Sequence, residues 1–173
     1  VIDLPKDMTL AVTDQVREVA PIQIESYQPN VNPSEGQINK LMAQLQKASC
    51  PVILVGAGVT AAGGEELFRA FVDKYHIPTV STLLGLGVLP SGAPEFLGMG
   101  GMHGSYAANM ALAECDFLLN IGSRFDDRLA SCPPEFAPHA TIAHIDIDPA
   151  EIGKVIDTDI PIVGDAKVEL KKL

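Results

Sequence analysis

The run Gly122-Ser123-Arg124-Phe125-Asp126-Asp127-Arg128 follows an apolar stretch, Phe117 to Ile121, and sets two arginines and two aspartates within five residues. In an open parallel sheet, ligands bind in the crevice beyond the carboxyl ends of the strands. Guanidinium groups placed there suit a diphosphate, and carboxylates suit ribose hydroxyls. The run also reads as a solvated loop with internal ion pairs, since exposed pairs contribute little and are common.

Gly56-Ala57-Gly58-Val59-Thr60-Ala61 comes after a second apolar stretch, Pro51 to Val55, and fits G-x-G-x-x-G/A. The glycines of that pattern allow a tight turn and let backbone N–H groups approach a pyrophosphate at a helix start. A nicotinamide dinucleotide site also wants an acid at the end of the second strand. Here that strand ends Val80-Ser81-Thr82, and Asp73 lies on the preceding helix, so ordinary NAD binding is disfavoured.

Four further segments end strands or open helices. Thr82-Leu83-Leu84-Gly85-Leu86-Gly87 offers backbone groups and apolar side chains. Gly98-Met99-Gly100-Gly101-Met102-His103-Gly104 allows close approach to a flat ligand, with Met102 able to lie on an aromatic ring. His103 has no evident partner to orient it as a base. In Asp146-Ile147-Asp148-Pro149, Asp146 suits a ligand and Asp148 suits an N-cap; Asp165 of Gly164-Asp165-Ala166 suits either or both. The chain carries no Ser–His–Asp arrangement, no Walker A sequence and no Cys/His metal cluster, a pattern of binding rather than of a catalytic centre.

The elements that must position these residues alternate. Asn32 and Pro33 suit the start of a helix carrying Ile38, Leu41, Met42 and Leu45 on one face and ending near Ser49. Strands are expected at 51–55, 77–81, 117–121, 141–147 and 160–163. Helices are expected at 65–75 and 105–114, a short one at 149–154, and a last one beginning at 166. The stretch 82–104 reads as irregular apart from a possible short helix or strand, and residues 8–32 read as a linker. Alternating strands and helices predict an α/β fold, a doubly wound, Rossmann-like parallel sheet of five to six strands flanked by helices.

At 173 residues the chain suits one domain with tails. A net charge of −10 argues against a nucleic-acid footprint and against docking on an anionic membrane. No apolar run reaches the ~18 residues that span a bilayer, and no signal peptide is visible. Cys50 and Cys115 sit beside expected strands, so buried thiols in a reducing compartment are expected, with Cys132 the odd one. The opening Val1-Ile2-Asp3-Leu4-Pro5-Lys6-Asp7 looks strand-like and lacks an initiating Met, which suggests a piece of a longer protein.

Taken in order and spacing, Gly100-Gly101-Met102-His103-Gly104, Gly122 to Arg128, His144-Ile145-Asp146-Ile147-Asp148 and Gly164-Asp165-Ala166 resemble the central domain of biosynthetic acetolactate synthase (acetohydroxyacid synthase) large subunits, members of the thiamine-diphosphate-dependent enzymes. The resemblance covers essentially the whole chain. It departs where the family often has Leu-Gly before Met-His-Gly and this chain has Gly100-Gly101.

The resemblance implies residues 1–7 as the end of a preceding pyrimidine-binding domain, 8–32 as linker and 33–173 as an FAD-binding domain. It implies a cytoplasmic enzyme that condenses pyruvate with pyruvate or 2-ketobutyrate, losing CO₂, in branched-chain amino-acid biosynthesis. Thiamine diphosphate and Mg²⁺ would be held by the other domains and subunits, with a regulatory small subunit as a possible partner. The flavin takes no redox part in the overall reaction, and this piece alone should be inactive.

For FAD, the resemblance implies Gly56, Ala57 and Gly58 at the diphosphate or ribityl chain, Thr82 and Leu83 near the flavin, and Met102, His103 and Gly104 lining it. Gly122, Arg124, Asp126 and Arg128 would meet the diphosphate, ribityl and adenosine region. Asp146 and Ile147 would hold the adenosine, and Asp165 and Ala166 would close the adenine pocket. Asp127 would orient Arg128. Two rival readings are the central domain of a pyruvate-oxidase type of thiamine-diphosphate enzyme and a structural domain with an empty cleft.

Overall fold

The computed structural model describes residues 4–14 and 34–173. Six strands form one all-parallel sheet: β1 (Pro51–Val55), β2 (Thr79–Ser81), β3 (Phe96–Met99), β4 (Phe117–Ile121), β5 (Thr141–Asp146) and β6 (Ile160–Val163). Their spatial order is β3-β2-β1-β4-β5-β6. The chain therefore winds from β1 to one edge and then returns to lay β4 against the other side of β1. That reversal makes the carboxyl ends of β1 and β4 the topological switch point.

Both faces of the sheet are covered, and so the strands read as continuous apolar runs. Ile53, Val55, Leu119, Ile121 and Ile145 face α2 (Glu35–Leu45), α3 (Ala57–Ala61), α4 (Glu65–Tyr75) and α6 (Ala166–Leu170). Val52, Leu54, Leu118 and Ile142 face α5 (Tyr106–Glu114) and the loop residues Phe125, Leu129 and Ala137. In α4, Phe68, Phe71 and Val72 supply the buried stripe, and His76 ends the helix in a left-handed conformation. At β6, Pro161 is exposed on an edge strand, where its missing N–H leaves no ladder bond broken.

The amino-terminal edge of the sheet is tied by two carboxylates. Asp116 accepts from the backbone N–H groups of Ser49 and Cys50 at 2.6 and 2.9 Å. Asp159 accepts from the N–H of Ile142 at 2.8 Å, and its carbonyl accepts from Lys40 Nζ at 2.9 Å.

Several expectations are corrected. Residues 6–10 form a short exposed helix, α1 (Lys6–Leu10), rather than a strand. The proposed cap at Asn32 and Pro33, like most of the linker, lies outside the described residues; α2 follows Ser34 and ends at Leu45, short of Ser49. β2 starts at Thr79, because Pro78 has no N–H to enter the ladder. Within the stretch 82–104, read as irregular apart from a short helix or strand, both are present, the 3-10 turn Leu83–Gly85 and the edge strand β3. Residues 149–154 form turns, not a helix, and Gly153 sits at φ 72. Cys115 is buried as expected, but Cys50 is exposed, since β1 begins one residue later.

One acid sits inside this packing. Glu169 on α6 is fully buried, neither of its oxygens has a hydrogen-bond partner among the described residues, and Oε1 lies where a Cβ on Gly164 would stand. Burial pushes its carboxyl up from 4.5 to about 7, Lys172 opposing and Asp165 assisting. A carboxyl raised in the folded state stabilises fully below its unfolded pKa and loses that contribution as pH rises through the folded value. Stability should therefore fall between pH 4.5 and about 7. Glu169→Gln should flatten that slope in denaturant midpoints measured across the window; an unchanged slope contradicts the assignment.

Candidate functional site

At the switch point the backbones of two turns touch. Gly56 N–H donates to the Ile121 carbonyl at 2.9 Å, and Gly58 N–H donates to the Gly122 carbonyl at 3.0 Å. A Cβ on Gly58 would stand 2.6 Å from Gly122 Cα, and one on Gly122 would meet Gly58 Cα at the same distance. Gly122 also has φ +65, a conformation that favours glycine. The G-x-G-x-x-A turn is thus in its expected place. The amides of Gly56 and Gly58 are bonded to the end of β4 and to the turn after it.

A cleft of about 140 Å³ opens beside this contact. Its walls are Ala61 and Ala62 of the β1 side, Gly122, Ile145 to Ile147 after β4 and β5, and Gly164 to Ala166 after β6. Of the residues expected at the site, it gathers Gly58, Gly122, Asp146, Ile147, Asp165 and Ala166. Small and apolar side chains with a carboxylate at the rim suit a flat heteroaromatic ring carrying a sugar. A larger open groove of about 500 Å³ lies near the start of β5 and ahead of β6, between Pro133, Phe136, Val155 and Asp157. It holds none of the expected residues, and it lies away from the carboxyl ends where chemistry is concentrated in this architecture.

The acids divide by use. Asp126 Oδ1 accepts from the N–H groups of Arg128 and Leu129 at 3.0 and 3.1 Å, closing its own turn. Asp148 Oδ1 does the same for Ala150 at 2.9 Å, a cap without a helix behind it. Asp165 caps α6 by accepting from Lys167 and Val168, and it also lines the cleft, so both of its readings hold in geometry. Asp146 accepts the Asp148 N–H with Oδ1 at 2.9 Å. Its Oδ2 lies 3.8 Å from His144 Nε2.

The charged run is paired internally only in part. Arg128 lies 3.8 Å from Asp127 with both side chains exposed, a weak contact, and Arg124 forms no ion pair among the described residues. Phe125 anchors the run: it is buried at φ +54, with its ring edge-on to Phe136 and to His144 at 5.5 and 5.1 Å.

The glycine-rich segment meets this run directly. Met102 N–H donates to the Arg128 carbonyl at 2.8 Å, and Gly101, at φ +94, packs against the same carbonyl. Asn109 of α5 clamps Gly101 from both sides, accepting from its N–H at 2.7 Å and donating to its carbonyl at 3.0 Å. Met102 and His103 are exposed, and Gly104 packs against Met99. On the β2 side, Thr82 N–H donates to Val55 and its hydroxyl caps the 3-10 turn Leu83–Gly85. Leu83, Leu84, Leu86 and Met102 leave an exposed apolar rim there. Ala57 is half-buried next to the switch point and does not line the cleft. Two buried polar residues were not among those expected, Asn120 and His144; their signal was a polar residue inside an otherwise apolar strand.

A family profile described as thiamine pyrophosphate enzyme, central domain, matches residues 38–173. The chain belongs to the thiamine pyrophosphate enzyme central domains. It is 48% identical over 172 residues to the acetolactate synthase large subunit of Lactococcus lactis, covering 99% of this chain and 30% of that protein. It is 40% identical to the isozyme 3 large subunit of Escherichia coli, covering 100% and 30%, and 45% identical to a probable large subunit of Methanocaldococcus jannaschii, covering 99% and 29%. The chain thus spans about 30% of the length of these relatives.

In this thiamine pyrophosphate enzyme central domain, the crevice floor is peptide on peptide. Gly122→Ala adds a methyl group at a left-handed φ and into Gly58. It should destabilise the domain by about 2 kcal/mol or more, read as a lower denaturant midpoint at unchanged slope. A midpoint within experimental error of the native one contradicts the close approach.

Proposed function

We propose that this chain is the FAD-binding central domain of an acetolactate synthase large subunit. The observation that carries the reading is the conjunction at the switch point: a cleft for a flat ring beside Asp146, and two exposed arginines on the adjoining turn. Identity of 40–48% to acetolactate synthase large subunits along the whole chain supports it.

The residues present fit the cofactor. With no side chain at Gly58 or Gly122, the floor beside the cleft is bare backbone that a flat group can approach. Ile147, Asp165 and Ala166 would bound the adenine, with Asp146 accepting from the ribose hydroxyls. Arg124 and Arg128 would bind the diphosphate, for which a guanidinium fork is matched in shape and charge. Among the described residues the amides of Ser123 and Arg124 donate to no protein group, and they add donors at the same turn. Thr82, Leu83, Met102, His103 and Gly104 would border the flavin end, where the apolar rim excludes water. Gly56 and Ala57 shape the turn from behind, and Asp126 holds the arginines in place through the backbone.

In the full-length enzyme the flavin supplies no redox step to the overall reaction. The carbon chemistry belongs to thiamine diphosphate and Mg²⁺, held by the remaining domains and subunits. The reaction condenses pyruvate with pyruvate or 2-ketobutyrate, losing CO₂, for branched-chain amino-acid biosynthesis. A regulatory small subunit is the partner and the cytoplasm the compartment of this reading. No helix among the described residues is long and apolar enough to cross a membrane.

Titrating FAD into the full-length polypeptide, followed by quenching of flavin fluorescence, tests the reading. Saturable binding is expected, and Arg124→Ala should weaken it by about tenfold or more by removing a charge-assisted contact. Absence of binding at high micromolar FAD refutes the flavin assignment. Flavin bleaching by pyruvate in the wild type would instead favour a redox-active relative.

A further inference from the structure

We propose that Asn120 and His144 are positioning residues for Arg124, a buried pair that seats the loop from which this arginine projects. The inference rests on reading Arg124 as a diphosphate contact.

Asn120 and His144 are paired in register across β4 and β5, near the carboxyl ends of both strands, and both are fully buried. Their strand neighbours Leu118 and Ile142 lie in the apolar cluster under α5, and the alternation of a strand turns all four side chains to that face. Asn120 Oδ1 and both ring nitrogens of His144 have no hydrogen-bond partner among the described residues. Burying polar atoms in this way is destabilising, and apolar residues would suit these positions better for packing alone.

Besides the long approach of Asp146 Oδ2 to His144 Nε2 at 3.8 Å, the pair contacts the loop. Asn120 Nδ2 donates to the Ser123 carbonyl at 2.7 Å. The His144 ring meets the buried Phe125 ring edge-on at 5.1 Å, and Phe125 holds a left-handed φ of 54. The residues on either side of Arg124 are therefore each held from below, one by a hydrogen bond and the other by a ring contact. Arg124 between them is exposed. Its direction of departure follows from where Ser123 and Phe125 are fixed, and a preorganised guanidinium binds with less ordering cost than one on a loose loop.

The test uses the full-length polypeptide, hydrogen exchange over residues 122–128 without ligand, and FAD titration. Asn120→Val should move the denaturant midpoint little, because the loss of the bond to the Ser123 carbonyl is offset by removal of the unpaired buried Oδ1. It should nonetheless speed exchange in that segment and weaken FAD by about tenfold. Combined with Arg124→Ala, it should cause no further loss, since it acts through that side chain. His144→Ala should loosen the segment, and His144→Phe, which keeps a ring against Phe125, should restore it; this pair decides the matter if Asn120→Val does not fold.

Unchanged exchange and affinity in Asn120→Val, or losses that add to those of Arg124→Ala, overturn the inference. If the wild type binds no FAD, the flavin reading alone fails, and the exchange data support or overturn the seating of the loop.

Discussion

The approach of Gly58 to Gly122 is the constraint on which the rest of the site depends. It brings the turns after β1 and β4 into backbone contact at the point where the sheet reverses its winding. Two hydrogen bonds extend strand pairing past the ends of the strands, from Gly56 to Ile121 and from Gly58 to Gly122. The crevice therefore has a rigid peptide floor and no side chain rising from it. It also has an electrostatic consequence, since the amides of Gly56 and Gly58 are already bonded to protein carbonyls. The exposed guanidinium groups stand on the next turn.

A chain of net charge −10 places its acids with care around that turn. Asp126, Asp148 and Asp165 each accept backbone N–H groups and hold turns or a helix start. At the opposite edge, Asp116 and Asp159 tie the strand beginnings. Most carboxylates near the site are thus scaffolding. Among the described residues the two arginines have only one long, exposed contact to an acid, Asp127. A carboxylate already satisfied by amides competes weakly for a guanidinium, so a crowd of acids and a site for an anionic ligand are compatible here.

How far this was readable in the sequence follows from the physics of each segment. β1, α4, β4 and β6 match their expected limits because each is a clean apolar run or a 3.6-residue stripe between sharp breakers. The limits of β3 are not legible because Phe96-Leu97-Gly98-Met99 is a half-buried edge strand interrupted by a glycine, with no alternation to mark it. Asp146 and Asp165 are legible as cleft-lining positions since they lie at or just past strand ends. The contact between the two turns is not legible in the same way: nothing in Gly56 to Ala61 reveals which neighbouring carbonyl will take its amides. Asn120 was visible as a polar letter in Phe-Leu-Leu-Asn-Ile, but its role depends on Ser123, Phe125 and a histidine on another strand.

The hydrogen bond from Met102 to the Arg128 carbonyl joins two segments that lie far apart along the chain. Gly101 has no room for a side chain against that same carbonyl. The glycine run and the arginine run are in effect one inheritance. Neither can drift by insertion or substitution without the other answering, and a designer who grafts the arginine turn onto a different sheet must carry the glycine run along with it.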